Sequence, residues 1–145
     1  MSAEDYAVKP LGVFGVLAGQ RDFERLRDEL QTLAEALPEG QRASIAGYLR
    51  AGAVVFAIME YTRDVLNGTF GVSGGSALLT DGVYYWRGDA ADYVERYGIA
   101  LPDEFLRHGR ALRWLPRSMA EEDILGVYQY LETNVRRVRH GEEKA

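Results

Sequence analysis

Two acidic residues in the middle of the chain, Glu60 and Asp64, have the spacing of a pair that could perform acid–base chemistry. A separation of four residues brings two side chains onto the same face of a helix, and Arg63 lies beside them. If burial separated the pKa values of the two carboxyl groups, one would act as general acid and the other as general base. The pair supports the hypothesis of a small hydrolytic or ligand-binding enzyme. The solvated end of a helix is the simpler interpretation of the same spacing.

The other residue types that commonly carry chemistry are scarce. The chain has no cysteine, which excludes thiol nucleophiles, thiolate metal sites and disulfides. Its two histidines, His108 and His140, lack a second histidine at i+4 and the carboxylate spacing of a metal-ligand set. The glycine-rich stretch at 71–76 lacks the Gly-Lys-Ser/Thr ending of a phosphate-binding loop. We therefore predict no metal, no cofactor and no other catalytic set.

The charge balance indicates which partners the protein could have. The net charge is −5 and the sequence pI is near 5.1, which favours a basic partner over nucleic acid or an anionic lipid surface. Basic residues cluster near the C-terminus, as Arg136, Arg137, Arg139 and His140. Positive charge also stabilises the C-terminal end of a helix, and we favour that interpretation over nucleic-acid binding.

Helical patterns dominate the elements that must position these residues. Apolar residues recur at helical spacing from Phe23 to Leu37. A second helix over about 42–66 is apolar nearly all round, which is typical of a helix enclosed by its neighbours, and Asn67-Gly68 supplies a stop. Two short helices over about 89–98 and 102–109, and a last one from Ser118 to about 138, complete the pattern.

One stretch of the chain carries a strong β-hairpin signal. Asp81-Gly82 stands between the apolar runs "ALLT" and "VYYW", which predicts a two-residue turn within about residues 76–87. The alternation of strand side chains places two sets on opposite faces, and both sets are apolar or aromatic. The first set is Ala77, Leu79, Tyr84 and Trp86, and the second is Leu78, Thr80, Val83 and Tyr85. The predicted fold class is α+β, predominantly α, with helices packed around the central apolar helix and a small antiparallel hairpin.

A motif in this region resembles one found in short uncharacterised bacterial proteins. The motif runs from Thr80-Asp81-Gly82 through an aromatic strand ending in Trp86 and a tyrosine-rich helix to a Leu-Pro pair and a phenylalanine. The remaining residues that carry it are Tyr93, Tyr97, Leu101, Pro102 and Phe105. Small acidic proteins of this kind resemble immunity or accessory proteins of bacterial toxin systems. The resemblance covers about a quarter of the chain and implies no catalytic residue.

The leading functional hypothesis is therefore a small acidic protein-binding module, an immunity-type protein that neutralises a basic toxin domain by direct binding. Charge complementarity would mainly accelerate the association. Tyrosines bury a large area while keeping a polar tip in water, so the hairpin and the helix after it supply the predicted contacts. These partner-binding residues are Asp81, Tyr84, Tyr85, Arg87, Asp89 and Asp92.

The length of the chain fits one domain over residues 1–145, in which we expect residues 139–145 to fray. The N-terminal sequence "MSAEDYAVKP" lacks the features of a secretory signal. The most apolar run, residues 51–59, is much shorter than the roughly 20 residues of a membrane span. We therefore expect a cytoplasmic protein without membrane contact, and self-association is a further possibility.

Overall fold

The computed structural model describes residues 3–16 and 23–136. Within these ranges, helices and strands alternate in groups along the sequence. The α-helices are α1 (Phe23–Leu33), α2 (Glu39–Arg50), α3 (Ala90–Tyr97), α4 (Asp103–Ala111) and α5 (Glu121–Leu131). The strands are β1 (Lys9–Pro10), β2 (Ala53–Phe56), β3 (Tyr61–Arg63), β4 (Gly71–Ser73), β5 (Leu78–Thr80) and β6 (Tyr84–Arg87). The predicted tail at 139–145 lies outside the described residues.

A four-stranded mixed sheet forms the middle of the molecule, in the order β1-β6-β5-β2. Strand β1 runs parallel to β6, whereas β5 is antiparallel to both β6 and β2. Strands β3 and β4 form a separate two-stranded antiparallel sheet. Because β5 and β6 are central and buried on both faces, the sheet, and not a helix, is the element around which the chain packs.

Each face of the four-stranded sheet covers its own apolar cluster. The main core joins Leu79, Tyr84 and Trp86 to residues of α1, α2, α3 and α4. The minor core joins Leu78 and Tyr85 to Val8 and to Val127 and Leu131 of α5. A strand with both faces buried is mostly apolar on both, which explains the composition of the hairpin. Its buried polar residues, Thr80 and Arg87, are hydrogen-bonded.

The predicted fold class is wrong in its balance, since the described residues form a balanced α+β arrangement and not a predominantly helical one. The main error is the predicted helix over 42–66, because α2 ends at Arg50 and β2 and β3 follow. Short apolar runs do not distinguish a buried helix from a strand, and the β-branched pair Val54-Val55 extends along β5. Gly52 makes the change of direction possible, since a Cβ there would lie 2.7 Å from the Trp86 ring.

The β5–β6 hairpin is present as the middle of the larger sheet, and its turn lies one residue later than predicted. Thr80 pairs with Tyr85 and Leu79 with Trp86, so Gly82 and Val83 occupy the turn. The Asp81 carboxylate accepts hydrogen bonds from the backbone N–H groups that follow it, which holds Asp81 at the end of the strand. The predicted division between the two faces holds for the strand residues, because the register moved by an even number of residues. It is wrong for Val83, which lies in the turn and packs against the main core.

Candidate functional site

The buried Asp81 carboxylate connects the β5–β6 turn to two helices. Its Oδ1 accepts hydrogen bonds from the N–H groups of Val83 and Tyr84, at 2.9 and 2.8 Å. Its Oδ2 accepts the hydroxyl proton of Tyr48 from α2 and lies 2.9 Å from Nε2 of His108 on α4. The arrangement places a carboxylate, an imidazole and a phenol in one polar cluster.

Tyr48 is held in its neutral form within this cluster. Burial raises its pKa far above the ordinary tyrosine value, and the hydrogen bond to the Asp81 carboxylate raises it further. The rings of Phe105 and Trp114 pack edge-on against Tyr48, with centroids 6.1 and 5.6 Å away. A carboxylate–imidazole pair can orient a general base, but these residues line neither of the two clefts described below. The cluster therefore has a structural role, in which it holds α2 and α4 against the turn.

A second buried polar pair connects the two sheets. Arg87 of β6 donates from Nη2 to Oδ2 of Asp89 at 2.6 Å, and both side chains are almost completely buried. Thr62 of β3 donates its hydroxyl proton to the same carboxylate oxygen at 2.9 Å. A charge removed from water this completely is stable only when it is paired, so the position of β3 depends on this ion pair.

The acidic pair of the enzymatic hypothesis does not lie on a helix. Glu60 and Asp64 flank strand β3, so the expected helical juxtaposition is wrong. The Asp64 carboxylate is buried and accepts hydrogen bonds at both oxygens, from the N–H of Leu66, from the N–H and hydroxyl of Thr69, and from the Tyr97 hydroxyl. Burial alone would raise the pKa of Asp64, but these hydrogen bonds outweigh it and hold the pKa below the usual value.

An open cleft of about 680 Å³ lies between α1 and β3 and is lined by Glu60 and Asp64 together with Phe23, Arg27 and Tyr61, among others. Its existence meets one requirement of the enzymatic hypothesis. However, the Asp64 carboxylate already accepts four hydrogen bonds from the protein and stays ionised, which leaves it a poor proton acceptor. The geometry of the pair therefore gives acid–base catalysis no support.

The structure places five of the six predicted partner-binding residues in the interior. Asp81, Tyr84, Tyr85, Arg87 and Asp89 are each at most 5% exposed. Asp81, Arg87 and Asp89 belong to the two polar clusters above, and the two tyrosines lie in the main and minor cores. That these residues contact a partner stays a prediction, and their burial is explained by the fold alone.

The sixth residue, Asp92, is half-buried at the contact between α2 and α3. Its carboxylate accepts a hydrogen bond from Nη2 of Arg50 at 3.3 Å, and Arg50 also pairs with Glu95. Its role in the structure is to hold α3 against α2. A partner would have to compete with Arg50 for it.

The surface beside β2 has the opposite character, because apolar side chains are exposed there. A groove of about 320 Å³ lies between β2 and α5 and is lined by Val55, Glu121, Ile124, Leu125 and Tyr128. We call this feature the β2–α5 groove. Leu125 is 55% exposed and Tyr128 is 36% exposed, and the Tyr128 ring contacts Phe56 with 4.8 Å between centroids.

The groove also has an acidic end. Glu121 lines it, and Glu122 and Asp123 follow in the first turn of α5, which has no basic residue in its last turn. On the opposite face of the sheet edge, Val54 is 52% exposed. Clustered exposed apolar side chains with a polar rim are typical of interaction surfaces.

The sequence does not predict the groove as a whole, although it contains one signal for it. Leu125 lies outside the inward stripe of α5 that Val127 and Leu131 define, so an apolar residue occupies a position expected to be polar. Val54 and Val55 carry no signal, since the apolar pattern predicts that they lie inside a helix. A surface composed of two distant segments becomes visible only in the folded chain.

Within residues 3–16 and 23–136, no three His, Cys, Asp or Glu side chains are grouped so that they could hold a metal ion. No helix in the same ranges has the length and apolar character needed to cross a membrane. Comparisons with protein-family models, with curated proteins and with solved structures find no match.

Proposed function

We propose that this protein is a small protein-binding module that uses the β2–α5 groove to dock its partner. The observation that carries the proposal is the exposure of Leu125 and Tyr128 around a concave apolar surface. Exposed apolar area of this kind costs free energy in water, and burial by a partner would recover roughly 25 cal/mol for each Å² covered. Aromatic and aliphatic side chains in a pocket are also the usual centre of an interface.

The charge of the groove and of the whole chain indicates the chemistry of the partner. Glu121 at the groove and a net charge of −5 favour a basic protein, which would be attracted from a distance and oriented on approach. In the finer form of the proposal, the partner is a basic toxin domain and the protein is an immunity-type inhibitor. Such an inhibitor acts by covering the toxin in the cytoplasm of the cell that makes both.

The proposal is tested with the proteins whose genes flank the gene of this chain. Each is co-expressed with it, and complex formation is measured by size-exclusion chromatography with light scattering. We expect one flanking product to form a stable complex, and we expect co-expression to restore the growth that this product alone suppresses. If no flanking product binds or is neutralised, the immunity form of the proposal is wrong.

Two variants show whether the groove forms the contact. Leu125→Glu places a charge in the apolar surface and should weaken the complex by about tenfold or more, because a hot-spot loss is worth at least about 1.4 kcal/mol. Leu115→Glu changes a residue of similar exposure that does not line the groove, and it should leave the affinity within about twofold. Equal effects of the two variants would contradict docking at the groove.

A further inference from the structure

Strand β2 is an open edge of the four-stranded sheet. It is last in the strand order, and its other side faces no strand in the described part of the chain. Among the described residues, the backbone of Ala53–Val55 forms backbone hydrogen bonds only to β5. A strand edge of this kind presents unpaired N–H and C=O groups to which an extended segment can bind.

The side chains next to this edge are apolar on both faces. Val54 pairs with Leu79 and so projects from the main-core face, where it is 52% exposed. Val55 lines the β2–α5 groove, on the side of the minor core. A strand added to β2 would place alternate side chains into the groove and against Val54, because strand side chains alternate between faces.

The length of the edge limits what can be added. Strand β2 has four residues, and a β-bulge between Val54 and Phe56 interrupts its register with β5. Bulges and short edges protect a sheet from unspecific pairing with other strands. The edge therefore suits a short extended segment whose side chains fit the groove, and it does not suit a long strand.

Charge distinguishes a basic segment from a second copy of this chain. Glu121 lines the groove, and Glu122 and Asp123 belong to the same first turn of α5. Antiparallel two-fold pairing of two β2 strands would bring two α5 helices, each with this acidic turn, to the same face of one continuous sheet. Like charges at an interface oppose association, whereas a lysine or arginine in the added segment would be attracted to Glu121.

We propose that the partner adds a short extended segment to the open edge of β2, with apolar side chains in the β2–α5 groove and a basic side chain at Glu121. This inference rests on the proposed function, since it specifies how a partner occupies the same groove. It goes further by assigning the backbone of β2, and not only the side chains of α5, to the contact. The segment is a β-strand with apolar residues on one face and lysine or arginine at its ends.

The probe is the blocked peptide Lys-Val-Thr-Val-Thr-Val-Lys, added to the full chain and followed by NMR. Binding should shift the signals of β2 and α5 and slow the hydrogen exchange of β2 amides by about tenfold or more, as expected for newly paired N–H groups. Two N-methylated peptides each block the hydrogen bonds of one edge of the probe. One is methylated at the backbone nitrogens of both threonines, and the other at those of the valines. Since a strand pairs through one edge, we expect one of them to lose about tenfold or more in affinity and the other to bind normally.

Each result supports the proposal or overturns it. A peptide with glutamate in place of both lysines should bind more weakly, and equal binding would overturn the assigned charge preference. Full binding by both methylated peptides would overturn strand addition and leave side-chain docking at the groove as the function. No binding of the lysine peptide would also overturn strand addition, while the complex with a flanking gene product decides the proposed function independently. A concentration-dependent dimer without peptide would assign the edge to a second copy.

Discussion

At the scale of single residues, three buried carboxylates hold separate parts of the chain together. Asp64, Asp81 and Asp89 are each at most 5% exposed, and each accepts hydrogen bonds from a different part of the chain. Asp64 fixes the loop after β3, Asp81 fixes the hairpin turn, and Asp89 joins the two sheets. A buried carboxylate is tolerated only with such partners, so removing one should affect stability more than any exposed acidic residue.

The substitution Asp64→Asn tests the first of these tasks. Asparagine keeps one acceptor oxygen, so its NH2 group replaces either the acceptor of Leu66 or the acceptor shared by Thr69 and Tyr97. We therefore expect the free energy of unfolding at neutral pH to fall by about 1–3 kcal/mol. The folded pKa of Asp64 lies below the unfolded value of about 3.9, so its contribution is complete above that pH and is lost as the pH falls through the folded pKa. Urea unfolding of wild type and variant across the acidic range measures the difference, which should shrink there. Asp28→Asn, at an exposed position of α1, is the control and should change little.

Two arginines allow a comparison of a buried ion pair with an exposed one. Arg87→Met leaves Asp89 as an uncompensated buried charge, and we expect a loss of about 3–5 kcal/mol in unfolding free energy. Arg50→Met removes partly exposed pairs with Asp92 and Glu95, which should cost only about 0.2–1 kcal/mol. Chemical denaturation of both variants gives the two values. A similar loss in both would show that Arg87 is not buried as the structure indicates.

At the scale of elements, α5 stands apart from the other helices. Together with the N-terminal segment it packs on the minor core, whereas the other four helices, among the residues that the structure describes, do not contribute buried residues to that core. Its outward side forms one wall of the groove. The 3₁₀ turn at Ala3–Tyr6 packs on it, because Gly126 leaves room for the Tyr6 ring. The same helix therefore serves both stability and the proposed docking surface.

Two glycines within helices should respond in opposite ways to alanine. Gly126→Ala would place a Cβ 2.3 Å from the Tyr6 ring, so we expect the N-terminal turn to be displaced and stability to fall by about 1–3 kcal/mol. Gly47→Ala meets no atom within 4 Å, and it should raise stability by roughly 0.5–1 kcal/mol because alanine favours the helix. Thermal unfolding of both variants is the measurement. Stabilisation by Gly126→Ala would contradict the packing of Tyr6 on α5.

At the scale of the whole molecule, tyrosine hydroxyls connect α2 and α3 to the loops between the strands. Tyr48 ties α2 to the hairpin turn, Tyr97 ties α3 to the loop after β3, and Tyr93 accepts a hydrogen bond from the N–H of Val65. Burial raises the pKa of Tyr93 to about 12 and raises that of Tyr48 further. The native state therefore keeps these phenols neutral when the unfolded chain ionises them.

This coupling predicts a loss of stability in alkali. The contribution of Tyr48 and Tyr93 is complete below the unfolded tyrosine pKa of about 10, and it falls as the pH rises toward their folded pKa values because the folded state then binds more protons. Over that range each tyrosine lowers the free energy of unfolding by about 1.4 kcal/mol per pH unit. Urea unfolding at increasing pH, with phenolate absorbance as a second signal, measures the slope. Tyr93→Phe should reduce the slope by the share of one tyrosine, and an unchanged slope would contradict its burial.

The sequence determined the local features of this protein, because short-range chemistry specifies them. Apolar periodicity located α1, the tyrosine-rich α3 and most of α5, and Gly98 ends α3 in the left-handed conformation that glycine permits. The Asp81-Gly82 pair and the alternation around it predicted the hairpin and, apart from Val83, the division of its side chains between the two faces.

The tertiary structure alone decided the elements and surfaces that depend on distant partners. Residues 53–56 became a strand and not a helix because β5 was available to pair with them, and an apolar run does not specify which partner it will find. Asp81, Arg87 and Asp89 are interior residues because Tyr48, His108 and Thr62 reach them from other elements. The β2–α5 groove exists because two segments separated by more than sixty residues meet along one sheet edge, and no local pattern encodes that meeting.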